Sequence, residues 1–324
     1  MEWNLINRSR KGWIDALRAV AILLVVYGHS IENMPTFFVF TSPFKMPLFF
    51  AISGYVFRFS NDNRKAFLGQ LFRKVFIPWM ALGMFPAVVM IPFKGLGNLL
   101  NTFLKLLSGE LSWFMPCFFI GEIMWFMLYA KCKKPLWITV GALICFAVGM
   151  LLYQAGWMNY AMFNRALVVQ PFFLIGYLFK QYEKQLVGIP WHWIIVAFFC
   201  YIVLCLFSMV LFPGKTLDVH LNRYYNIPYC LLLIFLSCFL LFTAGSKCNF
   251  NSAVMSLVGQ NTLVIYFWHG LAIGFLIKGL SLIQCSIPIN WWTALIKVIW
   301  ACIACVAASV LLNRFFPEAI GKKK

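Results

Sequence analysis

Charged residues are scarce in this chain, and acidic residues are the scarcest. All charged residues together make up 11% of the 324 residues, with 9 Asp and Glu against 27 Lys and Arg, while 63% of the residues are hydrophobic. A soluble domain could not bury that much apolar surface, so the composition excludes one and indicates an integral membrane protein. The formal net charge of +18 would suggest nucleic-acid binding in a soluble protein. Here the basic residues cluster in alternate loops, so membrane topology explains them better and no nucleic-acid partner is expected.

Several other features are missing as well. No stretch of soluble length interrupts the apolar segments, and there is no internal repeat, low-complexity tract or long linker. We therefore predict one membrane domain, 1–324, which must carry out any chemistry itself. No glycine-rich phosphate loop, metal-ligand spacing or Ser/His/Asp order is present. Cys302 and Cys305 have a CxxC spacing, but they lie in an apolar segment without a second pair. A packing role is favoured for both, and no metal is expected.

Ten apolar segments are each close to the roughly 20 residues that a helix needs to cross a bilayer. They cover residues 14–34, 44–60, 75–93, 111–130, 136–155, 164–182, 192–212, 226–245, 260–280 and 292–315. The second is short, and Pro47, Ser53 and Gly54 predict an irregular or partly re-entrant helix there. The predicted fold class is an all-α integral membrane protein with about ten transmembrane helices.

The distribution of basic residues predicts the orientation of these helices. If the N-terminus is cytoplasmic, 18 of the 27 basic residues fall on the cytoplasmic side: Arg8, Arg10, Lys11, Arg58, Arg64, Lys65, Arg73, Lys74, Lys131, Lys133, Lys134, Lys180, Lys184, Lys247, Arg314, Lys322, Lys323 and Lys324. The opposite loops hold five: Lys45, Lys94, Lys105, Lys215 and Arg223. This asymmetry predicts that both termini are cytoplasmic.

The first apolar segment carries ionisable residues that lipid would not tolerate. Arg18 and His29 are separated by about 16 Å of helix and return almost to the same face. Asp15 and Glu32 fall in the same arc of roughly 100°. Such residues usually face a protein interior and mark a pathway or reaction centre. Because Asp15 and Arg18 interrupt the run, and many further spans follow, we interpret it as an uncleaved first helix rather than a signal peptide.

Six phrases, read in order, resemble one family. They are WIDALRAVAILLVVYGHS (13–30), PLFFAISGYVF (47–57), FRKVFIPW (72–79), LSWFMPCFFIGEIMW (111–125), NRALVVQPFFLIGYLFK (164–180) and NTLVIYFWHG (261–270). The chain resembles the acyltransferase 3 family of membrane O-acyltransferases, and its last phrase resembles the sugar O-acetylase branch. Some members carry a fused soluble esterase-like domain, and none is expected here.

The resemblance implies that Arg18 contacts the acyl donor, usually acetyl-CoA. A forked guanidinium suits phosphate oxygens, and CoA is cytoplasmic. The alternative is a structural Asp15–Arg18 pair at the interface. Arg73 and Lys74 stand where many members carry more arginines, and we predict that they help hold the CoA phosphates. Positive-inside topology alone is the alternative for that basic loop.

The resemblance gives His29 a catalytic role. Its imidazole could take the proton from an acceptor hydroxyl, or it could carry the acyl group transiently. Glu32 could orient the ring or be an ordinary interfacial residue. The alternative for His29 is a hydrogen-bonded buried histidine.

Four further residues are predicted to bind substrate, each with a structural alternative. His269 could bind sugar or complete a proton relay, or simply pack between helices. Glu122 and Arg165 could bind acceptor or donor, or pair with each other. Asn261 could contact a glycan or cap a helix.

We therefore expect an O-acetyltransferase of the bacterial cytoplasmic (inner) membrane that moves an acetyl group from acetyl-CoA to a carbohydrate hydroxyl. The expected partners are a carbohydrate acceptor, such as surface polysaccharide or lipid-linked sugar, the lipid bilayer, and separate glycan-assembly proteins. The rival hypothesis is a secondary transporter for a polar or sugar-like substrate, which would predict inverted repeats and paired interrupted helices. Such transporters commonly use intramembrane acids, of which Glu122 is the clearest here.

Overall fold

The computed structural model describes residues 11–31, 34–58, 64–89, 91–132, 134–157, 160–250, 252–284 and 290–322, and among these there is no β-strand, only an isolated bridge between Asp218 and Arg223. The helices are α1 (Gly12–Ser30), α2 (Pro35–Lys45), α3 (Pro47–Val56), α4 (Arg64–Leu71), a π-helical segment (Phe72–Phe76), α5 (Ile77–Val89), α6 (Ile91–Lys94), α7 (Gly97–Ser108), α8 (Phe114–Lys131), α9 (Pro135–Gln154), α10 (Phe163–Val168), α11 (Gln170–Gln181), α12 (Glu183–Gly188), α13 (Trp191–Leu211), α14 (Ile227–Cys248), α15 (Ala253–Gln260), α16 (Thr262–Leu282) and α17 (Trp291–Phe315).

The all-α membrane fold is confirmed. Nine helices in the described part of the chain are long and apolar enough to cross a bilayer. A tenth span forms if the segments Tyr160–Val168 and Gln170–Gln181, which meet at a bend of 45°, are counted together. The predicted number of about ten spans therefore agrees with the structure.

Two predicted spans begin too late. The second span runs over Pro35–Val56 rather than 44–60, because α2 precedes the break at Met46. Pro43 and Lys45 interrupt the apolar pattern of α2 and made it resemble a loop. The third span begins at Arg64 rather than at residue 75, so Arg64, Lys65, Arg73 and Lys74 lie on helix and not in a loop.

Several shorter helices were not predicted. Gly97–Ser108, Glu183–Gly188 and Ala253–Gln260 are each helical, but all three are shorter than a span and have weak apolar runs. A search for membrane-length segments cannot find them.

The closest helix contact joins α3 to α11 through glycines. A Cβ on Gly54 would lie 2.0 Å from the carbonyl oxygen of Phe173, and one on Gly176 would lie 1.7 Å from that of Ala51. The two backbones therefore touch where only hydrogen atoms fit between them. Small residues at such contacts are typical of membrane helices, where close packing must replace the hydrophobic driving force.

The first helix is held in the same way. A Cβ on Gly259 would lie 2.0 Å from the carbonyl oxygen of Asp15, so α15 packs directly on the start of α1. Ser256, one turn earlier in α15, donates a hydrogen bond of 3.4 Å to Oδ2 of Asp15. Asp15 is only 1% exposed, and this contact supplies part of the polar environment that a buried carboxylate needs.

A polar cluster ties four helix ends together on the predicted cytoplasmic side. Lys11 Nζ donates to Glu183 Oε1 at 2.7 Å, Tyr55 Oη donates to Glu183 Oε2 at 2.8 Å, and Ser246 Oγ donates to Oε1 at 3.3 Å. Partial burial disfavours the charged forms of both Glu183 and Lys11. The hydrogen bonds from Lys11 and Tyr55 nevertheless lower the pKa of Glu183 below its usual 4.5. The bonds to Glu183 and Tyr55 likewise outweigh burial and raise the pKa of Lys11 above 10.5. The predicted topology places all four residues on one side of the membrane, and their contact agrees with it.

We predict that Gly176→Ala destabilises the protein whereas Gly279→Ala does not. The new methyl group at 176 must separate α3 from α11, an overpacking cost of about 1–3 kcal/mol or more. Gly279 is the matched control, because a Cβ there meets no atom within 4 Å and alanine is the better helix former. The measurement is the thermal unfolding midpoint in detergent. Equal midpoints for the two variants would contradict the close contact.

The Glu183 cluster predicts a defined pH window. The pKa of Glu183 is lowered, so its contribution is present at neutral pH and is lost as the pH falls below about 4.5. The pKa of Lys11 is raised, so its contribution is lost only above about pH 10.5. We expect Glu183→Gln to lower the unfolding midpoint by a small, constant amount between these limits, about 1 kcal/mol or less because the pair is partly exposed. The difference from wild type should shrink in acid. A Lys184→Gln control should show no such profile.

Candidate functional site

Arg18 lies at the wall of an internal cavity and also forms the predicted pair with Asp15. Its Nη1 atom is 3.5 Å from Asp15 Oδ1, and 31% of the Arg18 side chain is accessible. The structural pair is therefore present, and the Arg18 side chain also lines the cavity. The role of Arg18 in donor binding stays a prediction.

The cavity has a volume of about 290 Å³ and runs between α1, α3, α8 and the start of α16. Its described lining residues are Arg18, Ile22, Phe49, Ile52, Ser53, Val56, Lys74, Val75, Phe114, Met115, Phe118, Gly259, Gln260, Thr262, Leu263 and Tyr266. Arg18 and Lys74 give it positive charge, and no carboxylate appears among those lining residues. Most of the wall is apolar. The cavity could therefore hold a long molecule with an anionic end and a less polar arm.

Lys74 reaches the cavity from the π-helical segment Phe72–Phe76, in which the backbone N–H of Ile77 bonds to the carbonyl of Phe72. A π turn contains one residue more than an α turn, and such segments are frequent at functional sites. Lys74 lines the cavity, but Arg73 does not. The Nε atom of Arg73 is buried without a hydrogen-bond partner among the described residues. The two neighbours predicted to act together thus have different surroundings.

His29 and His269 lie next to each other, with ring centroids 5.3 Å apart. His269 Nδ1 is 2.9 Å from the carbonyl oxygens of both Ile265 and Tyr266. Carbonyl oxygens only accept, so we assign the proton to Nδ1, which leaves the Nε2 lone pair of the neutral ring available. The ring of His29 is solvent-accessible and makes no hydrogen bond to any described residue. Glu32, which was predicted to orient it, lies outside the described residues.

Lys45 is a third polar group close to this pair, and the sequence did not identify it. It ends α2 at the break before α3, and its Nζ atom lies 4.3 Å from the ring centroid of Phe38. A Cβ on Gly28 would be 3.5 Å from the same Nζ, so the ammonium group lies beside the residue that precedes His29. The prediction had assigned Lys45 to an outer loop. Only the packing of α2 against α1 brings it here.

Glu122 and Arg165 do not form the ion pair that was one of their two interpretations. Glu122 is 7% exposed and accepts a hydrogen bond from Ser53, a residue of the cavity wall. Arg165 donates to the sulfur of Met162. No salt bridge joins the two residues in the part of the chain that the structure describes. Glu122 therefore reaches the cavity through Ser53, and Arg165 is separate from it.

Asn261 holds helices together. It occupies the N-cap position of α16, but its side chain makes no capping bond. Its Nδ2 atom donates to the carbonyl oxygen of Leu257 at 2.7 Å, and its Oδ1 atom accepts from Ser309 of α17 at 2.5 Å. The cap interpretation was right about position and wrong about the side chain. The side chain therefore has a structural role, and the glycan contact stays a prediction.

Comparison with known proteins gives one result. The family model described as an acyltransferase domain, acyltransferase 3, matches residues 11–314. Neither the curated proteins nor the solved structures compared with the chain gave a match. The matched range contains all the helices from α1 to α16 and nearly all of α17, and so includes the cavity and both histidines.

We predict that Asn261→Ala destabilises the fold without weakening acceptor binding. Loss of the Ser309 and Leu257 bonds should cost about 1–3 kcal/mol, measured as a lower unfolding midpoint. Ser309→Ala should cost less, and the double variant should cost less than the sum of both, because the two residues share one bond. An unchanged midpoint together with a higher requirement for cell-envelope glycan would instead support the glycan contact.

Proposed function

This chain belongs to the acyltransferase 3 family and is a membrane O-acyltransferase, and from that premise we propose that it transfers an acetyl group from cytoplasmic acetyl-CoA to a hydroxyl of a carbohydrate. One observation supports the proposal most strongly. Arg18 and Lys74 line one cavity together with Tyr266, whose backbone carbonyl holds the ring of His269 beside His29, although neither histidine is among the described lining residues.

The donor would enter from the cytoplasmic side. Arg18 offers the phosphates of CoA a planar, rigid guanidinium, and Lys74 offers an ammonium group on a flexible stem. Both groups are common in phosphate sites. The apolar and aromatic wall, which includes Phe49, Phe114 and Leu263, suits the extended pantetheine arm. The thioester at the end of that arm would then lie towards the two histidines.

The histidine pair would perform the proton transfer. In the direct route, neutral His29 accepts the proton of the acceptor hydroxyl while the hydroxyl oxygen bonds to the thioester carbon. The C–S bond then breaks, and the imidazolium returns its proton to the departing CoA thiolate. In the covalent route, one nitrogen of His29 bonds to the thioester carbon as the C–S bond breaks, and the departing thiolate takes the proton of the other ring nitrogen. The sugar oxygen then bonds to the acetyl carbon as the C–N bond breaks, and the imidazole takes the hydroxyl proton. The geometry is compatible with both routes.

Two neighbours would assist His29. His269 is held by two backbone carbonyls, so its Nε2 lone pair is available to His29 or to the substrate hydroxyl. Lys45 supplies a positive charge beside Gly28, where it can stabilise the oxyanion that forms on the thioester carbonyl. Both residues come from helices other than α1, so the catalytic group forms only in the folded bundle.

The acceptor would approach from the outer side of a bacterial cytoplasmic membrane. The predicted topology places His29 in the outer half of α1, close to that surface. A surface polysaccharide or a lipid-linked sugar delivered by separate glycan-assembly proteins fits this position. Glu122, through Ser53, and Arg165 remain candidates for substrate contacts.

The test is release of CoA from acetyl-CoA by purified protein in nanodiscs, with and without crude cell-envelope glycan. We expect His29→Ala to lower glycan-stimulated release by about a hundredfold or more. Arg18→Ala should raise the KM for acetyl-CoA with a smaller effect on kcat. Lys45→Gln should lower kcat and leave the KM for acetyl-CoA unchanged, and Lys45→Arg should retain part of the activity. Lys278→Ala, which removes an exposed cation of α16 away from the cavity, is the matched control.

Two outcomes would contradict the proposal. Release that is unaffected by His29→Ala would remove the histidine from the chemistry. Absence of both acetyl-CoA binding and CoA release in every condition would reject the donor and favour the transporter hypothesis.

A further inference from the structure

A second cavity lies on the predicted outer side, at the end of α9 and under the loop between α13 and α14. Its volume is about 430 Å³. The described lining residues are Met150, Tyr153, Gln154, Gly214, Lys215, Thr216, Asn222, Arg223, Tyr224 and Tyr225. We call it the outer groove. It shares no residue with the cavity that contains Arg18, so it is a separate site.

The outer groove is positively charged on the side of the membrane where cations are rare. Lys215 and Arg223 line it, and no carboxylate appears among its described lining residues. Only five basic residues fall in the predicted outer loops, and two of them are here. Positive-inside topology accounts for cations on the cytoplasmic side and disfavours them on this one. Asp218 is the carboxylate of the same loop, and its Oδ1 accepts a hydrogen bond from the backbone N–H of Leu221. The two cations that line the groove therefore suit an anionic ligand.

Buried polar groups in the groove lack partners. Asn222 is 2% exposed, and neither its amide nitrogen nor its amide oxygen makes a hydrogen bond within the described chain. The hydroxyl of Tyr224 is likewise buried without a partner. Leaving such groups unsatisfied costs about 1–3 kcal/mol each. Asn222 also has a positive φ of 49°, a left-handed conformation that asparagine tolerates better than most residues. A bound polar molecule would satisfy groups that the protein itself does not.

The remaining wall is suited to a sugar ring. Tyr153, Tyr224 and Tyr225 present aromatic rings with a hydroxyl at one end. Such side chains can pack against the C–H face of a pyranose and bond to its hydroxyl groups. Gln154 and Thr216 add further donors and acceptors to the same groove.

The loop that forms the groove also contacts a residue next to the wall of the cavity that contains Arg18. Asp218 and Arg223 exchange backbone hydrogen bonds of 3.1 and 2.8 Å, which close a tight turn. His220, inside that turn, stacks on Trp113 with ring centroids 5.1 Å apart. Trp113 is followed directly by Phe114, which lines the cavity that contains Arg18. The groove and that cavity are thus linked through the contact between His220 and Trp113.

We propose that the outer groove is a binding subsite for an anionic sugar of the acceptor, a hexuronate or a sugar phosphate, at a distance from the hydroxyl that is acetylated. The proposal rests on the proposed function in one respect, that the acceptor is a carbohydrate. Lys215 and Arg223 bind the carboxylate or phosphate, the tyrosines pack on the ring, and the amide of Asn222 bonds to its hydroxyl groups.

Binding can be measured without turnover. Purified protein in phosphatidylcholine nanodiscs is titrated with glucuronate, galacturonate and glucose 1-phosphate, and with neutral glucose and galactose, by saturation-transfer NMR and tyrosine fluorescence. We expect at least one anionic sugar to bind at least about tenfold more tightly than its neutral counterpart, with an affinity that falls as salt rises.

Variants locate the binding. The double variant Lys215→Gln and Arg223→Gln should lower the affinity for the anionic sugar at least about tenfold. Asn222→Asp keeps the shape and the left-handed backbone but adds a negative charge, and it should abolish binding. Lys105→Gln, which removes another predicted outer cation outside the groove, is the matched control and should bind as wild type does. Unfolding midpoints verify that each variant is folded.

Three results would overturn the proposal: no binding by any anionic sugar, equal binding of charged and neutral sugars, or binding that survives the double variant. Competition by phosphatidylglycerol, when it replaces part of the phosphatidylcholine, would assign the groove to a lipid phosphate and would also overturn it. CoA release by the same samples separates the two hypotheses. Release without groove binding rejects only the subsite, whereas anionic-sugar binding without release rejects only the acetyl transfer.

Discussion

The arrangement of this bundle depends on backbone contacts that leave no room for a side chain. Gly54 and Gly176 join α3 to α11, and Gly259 joins α15 to α1. In lipid, apolar side chains gain little by meeting each other rather than acyl chains, so close approach and internal polar contacts must hold helices together. The first contact fixes the helix that carries Ser53, and the second fixes the end of α1 that carries Arg18. Both residues line the cavity that contains Arg18, so its wall is positioned by Gly54 and Gly176, which lie outside it, and by Gly259, which lines it.

The candidate site has two parts, the cavity lined by Arg18 and Lys74 and the pair of His29 and His269. The cationic part is assembled from α1 and the π-helical segment, and the imidazole part from α1 and α16. Both α1 and α16 contribute to both, because α1 carries Arg18 and His29, and α16 carries Tyr266 of the cavity wall and His269. These two helices therefore position the cavity and the histidine pair relative to each other. The remaining helices supply most of the apolar wall of the cavity.

Patterns within one helix were predictable from the sequence, and contacts between helices were not. The scarcity of charged residues predicted the membrane fold, and the isolated ionisable residues of α1 made Arg18 and His29 candidate site residues. His269 was noticed, but nothing local indicated that its ring would meet His29. Lys45 was missed because it follows Pro43 and precedes Pro47, a pattern that indicates a loop until α2 is seen to be helical. Packing between segments far apart in sequence brings these side chains together. A hydropathy pattern contains no information about such contacts.

The π-helical segment determines where Lys74 lies, because its turn contains one residue more than an α-helical turn. Its bonds span five residues where an α-helix spans four. Deleting a single residue there would restore the regular α-helical ladder, while the helix on either side would keep nearly its present orientation, because the wider turn had absorbed the extra residue. The length and hydropathy of the span would hardly change. Lys74 lies within the wider turn, so its position on the cavity wall depends on this local change of helix type as well as on the residue type. A chain with one residue fewer between Leu71 and Ile77 would still cross the membrane, but the backbone that carries its lysine would follow a different course.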